Sequence, residues 1–173
     1  ALRTGSLETL KQLKVMDERL NAYQTLLQAY LGELAQEHLT PEESRRALEL
    51  TLYISNIEHA GDVIQLNLAD RVQSKARENI SFSLEEQASF DNLCLIIHDN
   101  LRLATGVLSS GDLEGAKRLI SQKDAFRELQ NEVLDAHFKQ GAGGKGPALR
   151  RSALYVDMIR DLNRINALVV AAG

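Results

Sequence analysis

Two carboxylates, Glu58 and Asp62, are the side chains whose type and spacing could do chemistry in this sequence. They are four residues apart, so on an α-helix they lie one turn apart on the same face. Carboxylate oxygens in that arrangement can be ligands of magnesium, manganese, iron or zinc. Gly61 lies between them, where a helix loses about 1 kcal/mol relative to alanine. The glycine therefore predicts the close approach of another backbone or of an ion.

A complete metal site needs further ligands from a neighbouring helix. Asp17 and Asp99 are candidates, but no spacing rule selects either of them. His59 points about 100° round the helix from Glu58, so it is not an automatic partner. The alternative interpretation of Glu58 and Asp62 is a pair of solvent-exposed carboxylates, which is the common case on long helices.

A second acidic pair, Asp157 and Asp161, has the same spacing near the end of the chain. Arg160 and Arg164 alternate with these carboxylates along the sequence. Opposite charges three and four residues apart on a helix attract one another by a few tenths of a kcal/mol. We therefore expect these four residues to form a lattice of ion pairs on the surface.

Signatures of an enzyme are absent from the sequence. None of His38, His59, His98 and His137 has an acidic residue three positions earlier, as a di-iron carboxylate site requires. We expect these histidines at the surface or at an interface. The glycine-rich segment 141–147 lacks the Lys-Ser/Thr ending of a phosphate-binding loop and is predicted to be a flexible surface loop. The sequence therefore predicts a protein that is not an enzyme.

The elements that position these residues are predicted to be long helices. Thr40 with Glu43, and Ser83 with Glu86, form capping boxes that begin the second and third helices. Asp112 is the predicted cap of the fourth helix. The predicted helices cover residues of about 6–37, 41–78, 84–108, 113–139 and 148–170.

Apolar residues recur at helical spacing in all five segments. In the first helix they form one stripe of Leu13, Met16, Leu20, Tyr23, Leu27, Tyr30 and Leu34. In the second they form a seam of Leu50, Ile54, Ile57, Gly61, Ile64 and Leu68. The pattern predicts an all-α fold, an antiparallel bundle of five long helices.

Composition agrees with one ordinary globular domain of 173 residues, with 44% hydrophobic and 25% charged residues. The net charge of −4 argues against nucleic-acid binding, which needs a basic face. Cys94 is the single cysteine, so an internal disulfide is excluded. No apolar run approaches the roughly 20 residues that span a bilayer.

The sequence also contains a weak internal repeat. The segment 15–20 of the first helix is similar in style to 122–127 of the fourth, and each helix is followed by one with a Leu-Tyr pair. We interpret residues 6–173 as one domain of two units, at about 6–80 and 83–173. The second unit has three helices, and the first lacks its first helix.

Three segments together resemble a known family. Residues 56–62, NIEHAGD, resemble the E-x-x-G-D signature of PhoU-like three-helix units. Residues 155–166 are similar to the ending of the PhoU-like cytoplasmic domain in bacterial sodium/phosphate cotransporters, and residues 128–138 also resemble that subfamily. The resemblance covers nearly all of the chain from about residue 8.

This resemblance implies a regulatory, non-catalytic module at the cytoplasmic face of the membrane. Its implied partner is the transmembrane domain of a sodium-dependent phosphate transporter, and a homodimer is a second expected association. The resemblance also implies a bound divalent or iron ion, with Glu58 and Asp62 as ligands. The matching positions of the second unit are Asn163 and Ala167, which form a degraded set. The alternative is a helical interaction or dimerisation domain without a ligand.

Overall fold

The computed structural model describes residues 7–34, 36, 38–139 and 146–173, and the secondary structure of these residues is helical throughout. The predicted end of the first helix near residue 37, and most of the predicted loop at 141–147, lie outside them. The elements are α1 (Leu7–Leu34), α2 (Pro41–Asp62), a π-helical segment (Val63–Leu68), α3 (Ala69–Arg77), α4 (Leu84–Ser110), α5 (Leu113–Lys139) and α6 (Pro147–Ala172).

The capping signals of the sequence mark where α2, α4 and α5 begin. The Thr40 hydroxyl accepts from the Glu43 backbone N–H at 3.3 Å, and the Glu43 carboxylate accepts from the Thr40 N–H at 2.8 Å. Ser83 and Glu86 repeat this reciprocal pair at the start of α4, at 3.1 and 2.7 Å. The Asp112 carboxylate accepts from a backbone N–H of the first turn of α5. Each cap satisfies backbone donors that a helix start leaves unpaired.

The second predicted helix is divided by the π-helical segment, which begins directly after Asp62. A π-helical turn holds an extra residue, so side chains beyond it are rotated relative to those before it. The sequence 63–68, VIQLNL, contains no proline or glycine that would indicate a departure from α-helical geometry. The segment therefore could not be predicted from the local sequence.

Helix α6 occupies the centre of the bundle and packs against α2, α4 and α5. Because neighbours surround it on several sides, it is apolar and buried around most of its circumference. Its buried apolar residues are Leu154, Tyr155, Val156, Met158, Ile159, Leu162, Ile165, Val169, Val170 and Ala172. The predicted all-α bundle of five long helices is confirmed, with α2, the π-helical segment and α3 forming the second.

The seam of the second helix is only half-buried over most of its length. The buried side chains of this helix lie off the seam: they are Ala60, Val63, Ala69 and Val72. Of the predicted seam, Ile64 and Leu68 pack against the hydrophobic core and are half-buried. Three further seam residues are half-buried: Leu50, Ile54 and Ile57. The seam therefore lies at the edge of the packed interface rather than at its centre.

Helix α1 forms the outer layer, on α2 and the π-helical segment. Leu31 is buried in this contact, and Leu13 and Leu20 are half-buried. Leu34 is also half-buried. In contrast, four members of the predicted stripe are exposed: Met16 (67%), Tyr23 (64%), Leu27 (42%) and Tyr30 (61%). The helix thus carries apolar side chains that the described bundle does not cover.

Each helix in the described part of the chain is too short or too polar to cross a bilayer.

Candidate functional site

Glu58 and Asp62 lie in the last turns of α2, immediately before the π-helical segment. The Glu58 side chain is 15% exposed, and its carboxylate lies 3.6 Å from Nε2 of the adjacent His59. Asp62 borders a shallow cleft of about 250 Å³. The cleft is lined by His59, Asp62, Val63, Leu66, Asn67, Arg164 and Leu168. The cleft therefore has mixed charge and is not an enclosed acidic cage, and Glu58 does not line it.

The close approach at Gly61 is made by a side chain of α1, and not by the backbone or the ion that the sequence predicted. A Cβ at Gly61 would lie 2.8 Å from Cδ2 of Leu20 and 3.7 Å from Oδ1 of Asp17. The glycine is thus explained by the packing of a leucine side chain, without an ion. Asp17, one of the two candidate extra ligands, is brought to this place. The other, Asp99, is 78% exposed beside His98.

Asn21 of α1 lies one helical turn after Asp17 and is hydrogen-bonded to it. The Asn21 amide donates to Asp17 Oδ2 at 3.3 Å. The amide oxygen Oδ1 of Asn21 is buried and has no hydrogen-bond partner. A buried acceptor without a donor is costly, so this atom is a natural place for a water molecule or a cation.

The donor set limits which metal the site could hold. Within the part of the chain that the structure describes, no three His, Cys, Asp or Glu side chains form a group that could hold a metal ion. Magnesium commonly uses one or two carboxylates and retains several waters, whereas an iron cluster needs more protein ligands. The described residues therefore do not fit an enclosed cluster, and a cation held by Glu58 and Asp62 would take most of its ligands from water. Asn163 and Ala167 of α6 supply no carboxylate.

Asp161 contradicts the prediction of a surface lattice. Its carboxylate side chain is 9% exposed and accepts from Nε of Arg71 at 2.5 Å. Arg71 Nη1 also donates to Asp157 at 3.1 Å, whereas Arg160 lies 3.9 Å from Asp157. The prediction was wrong because Arg71 comes from α3, distant in sequence, and covers the acidic face of α6. Only Asp157 keeps the predicted pairing within its own helix.

His137 contradicts the prediction that the histidines lie at the surface or an interface. Its side chain is 2% exposed, with Nδ1 at 2.7 Å from Glu86 Oε1 and Nε2 at 2.8 Å from Ser152 Oγ. His38, His59 and His98 are exposed as predicted. One signal could have identified His137.

The signal that could have identified His137 as buried is the stripe of apolar residues on α5. Leu119, Phe126 and Val133 are buried on one face of this helix. His137 follows Val133 by four residues, so it continues the same buried face. A polar residue on that face predicts a buried partner, which the sequence cannot identify.

Glu86 is the centre of the polar cluster around His137. Besides its capping role, its carboxylate accepts from the guanidinium of Arg151. Arg151 also donates through Nε to the Ser81 carbonyl at 2.9 Å. The ring of Tyr155 lies 4.8 Å from that of His137. Burial, and then the charge of Glu86, raise the pKa of Tyr155 to about 12. The cluster thus connects the start of α4, the end of α5 and the start of α6.

Ser152 is hydrogen-bonded to His137, and His137 to Glu86, which is the connectivity of a hydrolytic triad. A nucleophile must, however, reach a substrate carbonyl, and Ser152 is only 5% exposed. The Ser152 hydroxyl is instead satisfied by His137 within the fold. This arrangement supports a structural role, in which hydrogen bonds hold three helix ends together.

Comparisons with known proteins agree with the helical architecture. Residues 90–171 match the family model described as "PhoU domain", so the segment from α4 to α6 is PhoU-like. Over 158 residues the chain is 29% identical to proteins named "Putative inorganic phosphate export protein YjbB" from Escherichia coli K12 and from Shigella flexneri. The alignment covers 91% of this chain and 29% of each relative. No solved structure matches the chain.

Proposed function

We propose that this chain is a regulatory, non-catalytic PhoU-like module of a phosphate transport protein. The observation that carries the proposal is the PhoU-like segment 90–171 within a longer similarity to phosphate export proteins. The chain spans 29% of the length of those relatives, so the transport step would belong to another part of such a protein. The burial of Ser152 supports the non-catalytic role.

The proposed partner is the transmembrane domain of a sodium-dependent phosphate transporter, in the same parent chain or complex. The module would act from the cytoplasmic face of the membrane. A rigid helical bundle can regulate such a partner if it binds one conformation of the transporter more tightly than another. Phosphate or a cation would change the transport rate by shifting that preference.

Phosphate flux tests this proposal directly. Labelled phosphate is measured in vesicles that carry the parent transporter, intact or without residues 7–172, at matched abundance in the membrane. We expect the shortened transporter to retain flux and to lose its response to phosphate concentration. An unchanged response would reject the regulatory role. Replacing sodium by potassium in the same vesicles tests sodium coupling. The proposal that transport depends on sodium is rejected if the phosphate flux is unaffected.

We also propose that Glu58 and Asp62 hold a hydrated divalent cation, with Asp17 close to its coordination sphere. Equilibrium dialysis with magnesium, manganese and ferrous ions measures binding to the purified chain. We expect Glu58→Gln with Asp62→Asn to abolish binding. The matched control is Glu128→Gln with Glu132→Gln, an exposed carboxylate pair at the same spacing on α5. Binding that survives the first double substitution, or that is absent from the unmodified chain, rejects the site.

The alternative function is a helical interaction domain without a ligand. The exposed apolar side chains of α1 favour it, because such patches commonly mark association surfaces. In that case, the flux response and cation binding would both be absent. Association of the chain with the membrane part, measured in detergent, would remain.

A further inference from the structure

Helix α1 has two apolar faces, and only one of them is used within the bundle. Leu20 and Leu31 mark the face that packs on α2. Tyr23, Leu26 and Tyr30 are 64%, 67% and 61% exposed. At about 100° per residue, these three side chains are centred roughly 100° away from the packed face. The second face therefore points outward, clear of α2.

The outward face is complementary to itself about Leu26, because each of its residues before Leu26 has a residue of opposite charge or contrasting size at the same distance after it. Seven residues before Leu26 lies Arg19, and seven residues after it lies Glu33. Four residues before lies Ala22, and four after lies Tyr30; three residues on either side lie Tyr23 and Ala29. All seven residues are exposed: Arg19, Ala22, Tyr23, Leu26, Ala29, Tyr30 and Glu33.

This pattern is self-complementary when the helix meets a second copy running in the opposite direction. Arg19 of one copy would then oppose Glu33 of the other, and this charge pair occurs twice in the dimer. Each tyrosine would oppose an alanine, so that a large side chain meets a small one and the backbones approach closely. Leu26 would oppose its own equivalent. Such reciprocity is the property of an interface with two-fold symmetry.

We propose that the chain forms a homodimer in which α1 pairs antiparallel with α1 of a second copy, on a two-fold axis beside Leu26. The interface covers the aromatic and leucine side chains of α1 that the bundle leaves exposed. A single helix pair buries less than the roughly 1,600 Å² of a typical stable complex, so the dimer is reversible. We expect a dissociation constant on the order of micromolar. This inference does not depend on the link to phosphate transport.

Charge exchange tests the register. Sedimentation of the purified chain over a range of concentrations should give twice the 19.2 kDa mass of one copy at the upper end. Arg19→Glu or Glu33→Arg alone should raise the dissociation constant about tenfold, because each places like charges together at two symmetric positions. The combined exchange restores opposite charges and should return the constant to within about threefold of its original value.

A charge on the axis tests the position of the two-fold. Leu26→Asp places two carboxylates against each other and should raise the dissociation constant more than about a hundredfold. Leu113→Asp is the matched control, because Leu113 is 68% exposed and Leu26 67%, and it should leave the dimer unchanged. Circular dichroism checks that both variants keep their helix content.

A symmetric disulfide is a second test of the contact at Leu26, whereas the charge exchange tests the antiparallel direction, because a parallel pair would place Arg19 against Arg19. In a Cys94→Ala background, Leu26→Cys should form a cross-linked dimer under mild oxidation. Leu113→Cys in the same background should not. The proposal is overturned if the chain is a monomer at all concentrations, if Leu26→Asp leaves the dimer intact, or if the combined charge exchange does not rescue association.

Discussion

The imidazole of His137 is held 2.7 Å from the carboxylate of Glu86, with both side chains almost completely buried. This contact joins the end of α5 to the start of α4. Ser152 on the opposite side of the ring adds the start of α6. The three helix ends are therefore joined by one hydrogen-bonded group, in which His137 satisfies both Glu86 and Ser152.

Replacing His137 by alanine should lower the free energy of unfolding by about 3 kcal/mol. The change leaves a cavity, and it leaves the Glu86 carboxylate and the Ser152 hydroxyl without their partner. Urea unfolding followed by circular dichroism measures the loss. His98→Ala is the control, because His98 is 63% exposed, and it should change stability by less than about 0.5 kcal/mol. Equal effects of the two substitutions would show that the buried cluster does not stabilise the fold.

Alkaline pH should destabilise the protein through Tyr155. Because the folded-state pKa is about 12, above the ordinary value near 10, folding favours the protonated phenol. Its contribution is complete below pH of about 10 and is lost as pH rises through the folded-state pKa. Unfolding free energies measured between pH 8 and 11.5 should therefore fall. Tyr155→Phe removes the ionisable group, so the free energy of unfolding of this variant should fall less steeply with pH. Parallel declines in the two proteins would exclude Tyr155 as the cause.

Gly61→Leu should destabilise the contact between α1 and α2 by about 2 kcal/mol. Leu20 already occupies the space that a side chain would need, so one leucine must move away from the interface. Gly106→Leu on α4 is the matched control, since no atom lies within 4 Å of its would-be Cβ. It should gain up to about 1 kcal/mol of helix propensity. Thermal unfolding of the two variants should shift in opposite directions, and a gain at Gly61 would contradict the packing.

Arg71→Ala should cost about 3 kcal/mol, because it leaves the buried Asp161 carboxylate without its cationic partner. The pair of Arg45 with Glu49 on α2 is exposed on both sides. Arg45→Ala should therefore change stability by less than about 0.5 kcal/mol. Urea midpoints of the two variants give the comparison. Restoration of stability by adding Asp161→Asn to Arg71→Ala would confirm that an unpaired charge is responsible, and a further loss would contradict it.

Some features of the candidate site could be predicted from nearby residues in the sequence, and others depend on residues far away along the chain. The shared face of Glu58 and Asp62 follows from the helical repeat, and the expected close approach at Gly61 follows from the cost of a glycine inside a helix. The identity of the approaching group does not, because Leu20 and Asp17 reach it from another helix. The predictions that Asp161 and His137 lie at the surface were wrong for the same reason, because their partners lie far away along the chain.

The sequence by itself determined the helices, their capped starts and the all-α class. These depend on interactions within a few residues: the reciprocal bonds of Thr40 with Glu43 and of Ser83 with Glu86, and the periodic placement of apolar side chains. The tertiary structure decided which apolar stripe is buried and which stays exposed, and which charges are paired. It also placed a π-helical segment after Asp62. Those outcomes depend on which helix lies opposite, and a periodic pattern carries no information about its partner.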